Sequence, residues 1–349
     1  FRQRGAVDVP VAAEPDFFTH SSKKQIQKDF IKMSRFNNVL EAVGATPLIR
    51  LNHIGSEFGS EIFVKFEAVN PGGSIKDRVG RYIIEAAERK GLLKPGGTII
   101  EATAGNTGAG LALAAAVKGY RLIVVMPDKM SAEKIALLKA FGAEVVITPT
   151  AVAPDSPENY IQKAKALAAS IPNSFRAAQF ENLDNPTAHY LSTGPEIWAD
   201  TEGQIDALVG GIGTGGTISG TGRFLKEKNP ALKVIGADPE GSVLSGDTPH
   251  IYKVEGIGED YFPVTYDKEI VDQFFRISDG ESFRTARRLV REEGIFAGGS
   301  SGTALAAALR YAATLSKPQR IVVILPDTGR NYLSKIFNDD WMKQNGYLD

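Results

Sequence analysis

Six short runs of β-branched and apolar residues, separated by stretches of helical character, constrain the fold of this chain most. They are Thr98–Glu101, Leu122–Met126, Glu144–Thr148, Ala207–Val209, Val234–Ala237 and Ile321–Leu325. Most are apolar at successive rather than alternate positions. Strands covered by helices on both faces have that pattern, and parallel sheets are where they occur. Of the helical stretches, Asp77–Lys90 repeats apolar residues at Val79, Ile83 and Ala87, and Thr107–Lys118 is small and apolar nearly all round, with Gly119 to end it. Ser131 is placed to cap Ala132–Ala140. Asp279 is placed to cap a helix running through Ser282–Glu293 and stopping at Gly294. The rhythm predicts an α/β protein of open, twisted, mostly parallel sheets whose ligands sit beyond the carboxyl ends of the strands.

A chain of 349 residues has room for two domains. Residues 1–43 keep no period and read as an N-terminal arm with one short helix over Lys23–Met33. A smaller α/β domain is expected over 44–188 and a larger one over 189–349, with the early strands free to join the larger.

The formal net charge of −1 gives no pull toward nucleic acid or an anionic membrane. No apolar run approaches the roughly 18 residues that a membrane span needs. The absence of cysteine excludes disulfides, a cysteine nucleophile and thiolate-bound zinc or haem. His20, His53, His189 and His250 are scattered, so no metal site is expected. The sequence opens at Phe1 rather than Met and has no signal-peptide apolar region, so the expected compartment is the cytoplasm, with a removed targeting segment left open.

Three glycine-rich turns each follow a strand-like segment and open a helix: Asn70–Lys76 (NPGGSIK), Thr103–Gly108 (TAGNTG) and Gly211–Gly216 (GIGTGG). Such turns aim backbone N–H groups at a bound anion, and the helix start adds a favourable field. Gly211, Gly213 and Gly216 match GxGxxG, and Asp238 follows the next strand, so this stretch taken alone also reads as a dinucleotide site. Lys76 sits at a helix start. The positive end of the helix dipole disfavours its ammonium form there and favours the neutral amine that attacks carbonyls. By position alone the reading as a solvated first-turn lysine is the favoured one.

Together these segments resemble the cysteine synthase and cystathionine β-synthase family of pyridoxal phosphate enzymes. NPGGSIKDR at Asn70–Arg78 is similar to that family's cofactor-lysine segment. GATPLIRL at Gly44–Leu51, GNTG at Gly105–Gly108, GTGGTISG at Gly213–Gly220 and GGSSG at Gly298–Gly302 follow in the family's order. DNPTAHY at Asp184–Tyr190, ADPEGSVL at Ala237–Leu244, VEGIGED at Val254–Asp260 and the segment Leu325–Met342 lean toward the cystathionine β-synthase branch. The resemblance demotes the dinucleotide reading. It implies the tryptophan synthase β-like arrangement, fold type II, with the cofactor in the cleft between two sheet domains.

The resemblance also implies roles. Lys76 holds pyridoxal 5′-phosphate as a Schiff base and serves as general base. Asn106 bonds the ring hydroxyl. Gly213, Thr214, Gly215, Gly216 and Thr217 cradle the phosphate, and Ser300 meets the pyridine nitrogen. Thr103, Gly105 and Thr107, with Gln179, hold the substrate carboxylate. A neutral serine at the ring nitrogen suits β-elimination better than transamination. Position 104 is alanine where the family usually has serine. Glu259 stands where animal members have tyrosine, and its carboxylate could pair with the ammonium of an amino-acid thiol or be a solvated loop residue. His189 is expected as a helix-start packing residue, and Trp198 and Trp341 as packing residues.

The implied reaction is a ping-pong β-replacement. Serine, or an activated serine, with homocysteine gives cystathionine; the alternative is O-acetylserine with sulfide giving cysteine. Small amino acids are then the substrates and a homodimer the expected assembly. With no cysteine and little chain after Trp341, neither haem nor a C-terminal regulatory module is expected. Two rivals remain. A dehydratase would release a keto acid from serine without any thiol. A catalytically silent binding relative would show damage at the lysine, the asparagine or the phosphate loop, all of which are intact.

Overall fold

All six expected strands form, and they divide between two sheets. The computed structural model describes residues 35–349 apart from Ala104, Lys129, Ser131 and Pro154. The expected helix over Lys23–Met33, the cap at Ser131 and the alanine at 104 lie outside the described residues. Residues 38–349 cluster as one unit and residues 1–37 as another, of which 35–37 are described.

In chain order the strands are β1 (Leu48–Arg50), β2 (Glu61–Phe66), β3 (Thr98–Ala102), β4 (Arg121–Pro127), β5 (Glu144–Thr148), β6 (Ser174–Arg176), β7 (Ala207–Gly211), β8 (Lys233–Pro239), β9 (Gln273–Ile277) and β10 (Arg320–Leu325). One sheet runs β1-β2-β10-β7-β8-β9 and is parallel except for β1, which pairs antiparallel with β2. The other runs β5-β4-β3-β6 and is parallel throughout. β1 and β2 precede the four-stranded sheet in sequence yet belong to the six-stranded one.

The α-helices are α1 (Lys76–Arg89), α2 (Asn106–Lys118), α3 (Ala132–Ala140), α4 (Tyr160–Ser170), α5 (Asp184–Leu191), α6 (Thr193–Asp200), α7 (Gly216–Lys228), α8 (Asp279–Glu293), α9 (Gly299–Ala313) and α10 (Asp339–Gln344). They cover both faces of the inner strands, which is why those strands are apolar at successive positions. On β10, Ile321, Val323 and Leu325 pack with Leu305 and Ala308 of α9, while Val322 and Ile324 pack with Ile218 and Leu225 of α7. On β3, Ile99 packs with Leu111 of α2, and Ile100 packs with Ala164 of α4 on the other face.

Two caps show how local chemistry sets element ends. α2 stops at Gly119, which takes φ +73° and donates its N–H to Ala115. α8 is capped by Ser278 rather than by the expected Asp279: the Ser278 side chain accepts the Glu281 N–H. The Asp279 carboxylate instead accepts the N–H groups of Lys253 and Val254 and the Tyr347 hydroxyl.

The start of α1 is pinned from two sides. Against α2, Gly80 and Gly110 let the backbones touch: a Cβ on Gly110 would lie 2.4 Å from the Lys76 carbonyl oxygen, and one on Gly80 would lie 2.3 Å from the Gly110 carbonyl carbon. On another side, buried Arg78 pairs with two carboxylates, Nε to Glu67 Oε2 at 2.8 Å and NH1 to Glu196 Oε1 at 2.6 Å. Lys65, fully buried on β2, reaches Asp200 at 2.8 Å and the Thr46 carbonyl at 2.6 Å. Thr46 also donates its hydroxyl to Glu67, and Asn70 bonds both Glu67 and the Gly44 N–H, so the segments 44–51 and 70–78 are locked together.

Candidate active site

A cleft of about 630 Å³ draws its lining from both sheets. Four helices begin at or beside it, and none has a side-chain cap. Their N-cap residues are Ile75 for α1, Gly105 for α2, Gly215 for α7 and Gly298 for α9. Helix starts favour anions, and here four of them stand at or beside one cleft.

Of the residues singled out by sequence, Lys76, Thr103, Gly105, Asn106, Thr107, Gln179, Gly213, Thr214, Gly215, Thr217, Glu259 and Ser300 line this cleft. Gly216 does not. It lies one layer behind, where a Cβ would overlap the Asn185 amide at 2.1 Å. That amide donates to Thr214 Oγ1 at 2.9 Å and to the Gln179 carbonyl at 2.8 Å, so the glycine serves the turn by giving Asn185 room.

Lys76 is the first residue of α1. Burial pushes its pKa down to about 8, against the opposing pull of Glu259 and Asp327. Among the described residues its amine has no hydrogen-bond or ion-pair partner. Asp77, beside it, accepts the Gly72 N–H at 2.5 Å and so orders the turn leading into the lysine. Burial raises the Asp77 carboxyl to about 7.

Thr217 is held by an unforeseen partner. Its hydroxyl lies 3.1 Å from His189 Nε2, and His189 Nδ1 lies 2.9 Å from the Thr193 hydroxyl. His189 sits in the last turn of α5, not at a helix start, and it orients a cleft residue. Burial holds its pKa well below the usual histidine value, so the ring is neutral. Thr214 is fixed similarly, its carbonyl accepting the Thr265 hydroxyl at 2.6 Å.

On the opposite wall the Thr107 hydroxyl donates to Gln179 Oε1 at 2.5 Å, which leaves Gln179 Nε2 as a donor. Asn106 is held by Asp327, whose Oδ2 accepts the Asn106 amide at 2.9 Å and the Tyr332 hydroxyl at 2.7 Å. Sequence reading gave Asp327 and Tyr332 no role, although both lie within a quoted motif. Trp341 packs edge-on against Phe283, with centroids 5.7 Å apart, as expected of a packing residue, and it also lines the cleft. At the cleft Glu255 pairs with Lys134 of α3 at 2.6 Å and with Lys335 at 2.5 Å, a bridge between the two sheet assemblies.

The cleft thus sets a lysine biased toward its neutral form opposite a glycine-rich, hydroxyl-bearing anion cradle, the arrangement of a protein that fixes a phosphorylated carbonyl cofactor to a lysine. Comparison with known proteins agrees. Residues 39–327 match the family described as pyridoxal-phosphate dependent enzyme. A cystathionine beta-synthase of Apis mellifera is 52% identical over 318 residues, 89% of this chain and 63% of that protein. A cysteine synthase of Staphylococcus aureus is 43% identical over 300 residues, 85% of this chain and 96% of that protein. Among solved structures, a hydrogen sulfide-producing enzyme from Fusobacterium nucleatum superposes with a TM-score of 0.81 at 40% identity, covering 85% of this chain and 98% of that one. The chain therefore belongs to the pyridoxal-phosphate dependent enzyme family, with the fold type II architecture. It spans about three fifths of the length of the cystathionine beta-synthases it matches.

The residues present fit the family's cofactor. A Cβ on Gly105 would meet nothing within 4 Å, so the wall at this point faces open space that a planar ring can fill. Ser300, buried in the first turn of α9, has its hydroxyl free of any hydrogen bond among the described residues.

Proposed function

We propose that this protein catalyses a pyridoxal phosphate-dependent β-replacement, joining L-serine, or an activated serine, to L-homocysteine to give L-cystathionine. Pyridoxal phosphate, when bound, supplies the electron-withdrawing ring that makes the α-proton of an amino acid labile. Lys76 tethers it and moves that proton. The turn 213–217 holds the phosphate, Asn106 the ring hydroxyl and Ser300 the ring nitrogen. Thr103, Gly105, Thr107 and the Gln179 amide take the substrate carboxylate. Small amino acids are the partners of this site, and the proposed assembly is a homodimer.

One observation carries the choice of thiol. Glu259 lines the cleft, close enough to Lys76 for each to shift the other, yet its carboxylate has no hydrogen-bond or ion-pair partner among the described residues. A half-buried, unpaired carboxylate at a substrate cleft favours a ligand bearing an ammonium group. Homocysteine has one and sulfide does not. The cysteine synthase reading is supported by the relative from Staphylococcus aureus, whose length this chain covers almost entirely.

Pairing each donor, serine or O-acetylserine, with each acceptor, homocysteine or sulfide, tests the choice. Cystathionine from serine and homocysteine is expected as the main product. Glu259→Gln should raise the KM for homocysteine roughly tenfold to a hundredfold, the worth of one charge-assisted bond, and leave sulfide use unchanged. Cysteine formed from O-acetylserine and sulfide, with no cystathionine from any pair, would overturn the reading. Pyruvate from serine alone would point to a dehydratase, and no product from any pair to a silent binder.

A further inference from the structure

Glu101 is buried near the end of β3, and its carboxylate meets two consecutive backbone N–H groups rather than a cation. Oε2 accepts from Ala178 at 2.6 Å and Oε1 from Gln179 at 3.2 Å. Ala178 has φ +51°, in the left-handed region that a residue with a Cβ avoids. The chain makes this turn abruptly. The Ala177 N–H still pairs with Ile100 of β3, while the Ala178 carbonyl already accepts from Glu181 and Asn182, both at 2.8 Å.

The turn leads directly into the substrate wall. The Gln179 side chain accepts the Thr107 hydroxyl, and its carbonyl accepts the Asn185 amide that also holds Thr214. A slip at residue 178 would therefore move Gln179 and slacken the support of both walls. Two adjacent N–H groups converging on one buried carboxylate form a nest that holds a left-handed turn in place.

We propose that Glu101 is a positioning residue for the substrate-carboxylate subsite: its carboxylate holds the strained turn 177–179, and the turn sets the Gln179 amide against Thr107. The proposal deepens the functional reading above and rests on Gln179 binding the amino-acid carboxylate. The glutamate acts through the backbone and touches no reacting atom.

The test is Glu101→Gln in the cofactor-loaded enzyme. A glutamine keeps the shape but sets an NH₂ group against a backbone N–H. Amide hydrogen exchange across 175–182 should accelerate, by about tenfold or more at the two clamped amides, since local opening is set by the bonds that hold the turn. The KM for the amino-acid donor should rise roughly tenfold while kcat at saturation stays within about twofold, the signature of lost binding rather than lost chemistry. Adding Ala178→Gly should recover most of the KM, because glycine accepts φ +51° without the Cβ penalty. Unchanged exchange, or a double variant no better than the single one, would overturn the proposal. Faster exchange with an unchanged KM overturns it differently: the clamp then exists but Gln179 does not bind the substrate, so the functional reading is what fails. If Glu101→Gln alone does not fold, the double variant decides: a folded, active pair supports the strain argument, and an unfolded pair refutes it.

Discussion

Arg78 and Lys76 lie two residues apart on one helix, and the protein treats their charges in opposite ways. Behind the helix start, burial alone would lower the Arg78 pKa, yet Glu67 and Glu196 push it above the ordinary arginine value. Burial would likewise raise Glu196, but Arg78 and Lys65 hold it down at about 2. Facing the cleft, burial outweighs the opposing influences. Lys76 falls to about 8, Glu259 rises to about 7 and Asp327 to about 6. The same side-chain types thus divide by pairing. Buried against a counter-charge, they stay charged and fasten segments together; buried with no ion-pair partner, they drift toward neutrality and become available for proton transfer.

The largest effect expected from this contrast is on stability. Arg78→Met strands Glu67 and part of Glu196 without a counter-charge and should cost about 3–5 kcal/mol, the usual penalty for halving a buried ion pair. Lys76→Met, removing an unpaired buried amine from the same helix, should cost less than about 1 kcal/mol while abolishing turnover. Denaturant midpoints of the cofactor-free proteins make the comparison. Equal losses would mean that pairing does not separate the two sites.

A smaller effect appears in acid. The folded-state pKa of Glu196 lies below its ordinary 4.5, so its contribution is fully present above pH 4.5 and disappears as pH falls toward about 2. The shift corresponds to about 3 kcal/mol. Glu196→Gln should lie below the parent in thermal midpoint at pH 6, and the gap should close between pH 4.5 and 2. A gap independent of pH would assign the loss to shape rather than charge.

Much of this was legible in sequence, for identifiable reasons. Strands covered on both faces leave continuous apolar runs, and those six were found within one or two residues. β2 escaped because Lys65 interrupts it; that lysine is buried only because Asp200, Glu196 and the Thr46 carbonyl meet it in three dimensions. β6 and β9 are an edge strand of three residues and one with its apolar pair in the middle, and neither has a long enough run to register. α5 carries Pro186 and runs almost directly into α6 at Ser192, so His189 reads as standing at a helix start rather than in a last turn. In the site, motif residues converge because each glycine turn ends at a carboxyl edge of a strand. The supports stayed hidden because each spans a long stretch of chain: Glu101 is 77 residues from Ala178, and Asn106 is 221 from Asp327. A motif names a turn without saying which of its glycines lines the cleft, so the place of Gly216 behind the lining was not legible.

The finest test concerns the unpaired side alone. Glu259 is the main electrostatic influence keeping Lys76 from falling further than about 8. Only the neutral amine captures the cofactor, so below that value capture by the cofactor-free protein should slow about tenfold per pH unit. Glu259→Gln removes the stabilisation of the ammonium and should move the midpoint of capture downward by roughly half a unit to one unit, about 1 kcal/mol. The variant should therefore take up pyridoxal phosphate faster than the parent at pH 7 and no faster at pH 9. Stopped-flow absorbance during cofactor binding reads this without any turnover. An unmoved midpoint would mean that the two groups do not share a field, and Glu259 would then belong to solvent rather than to the cleft.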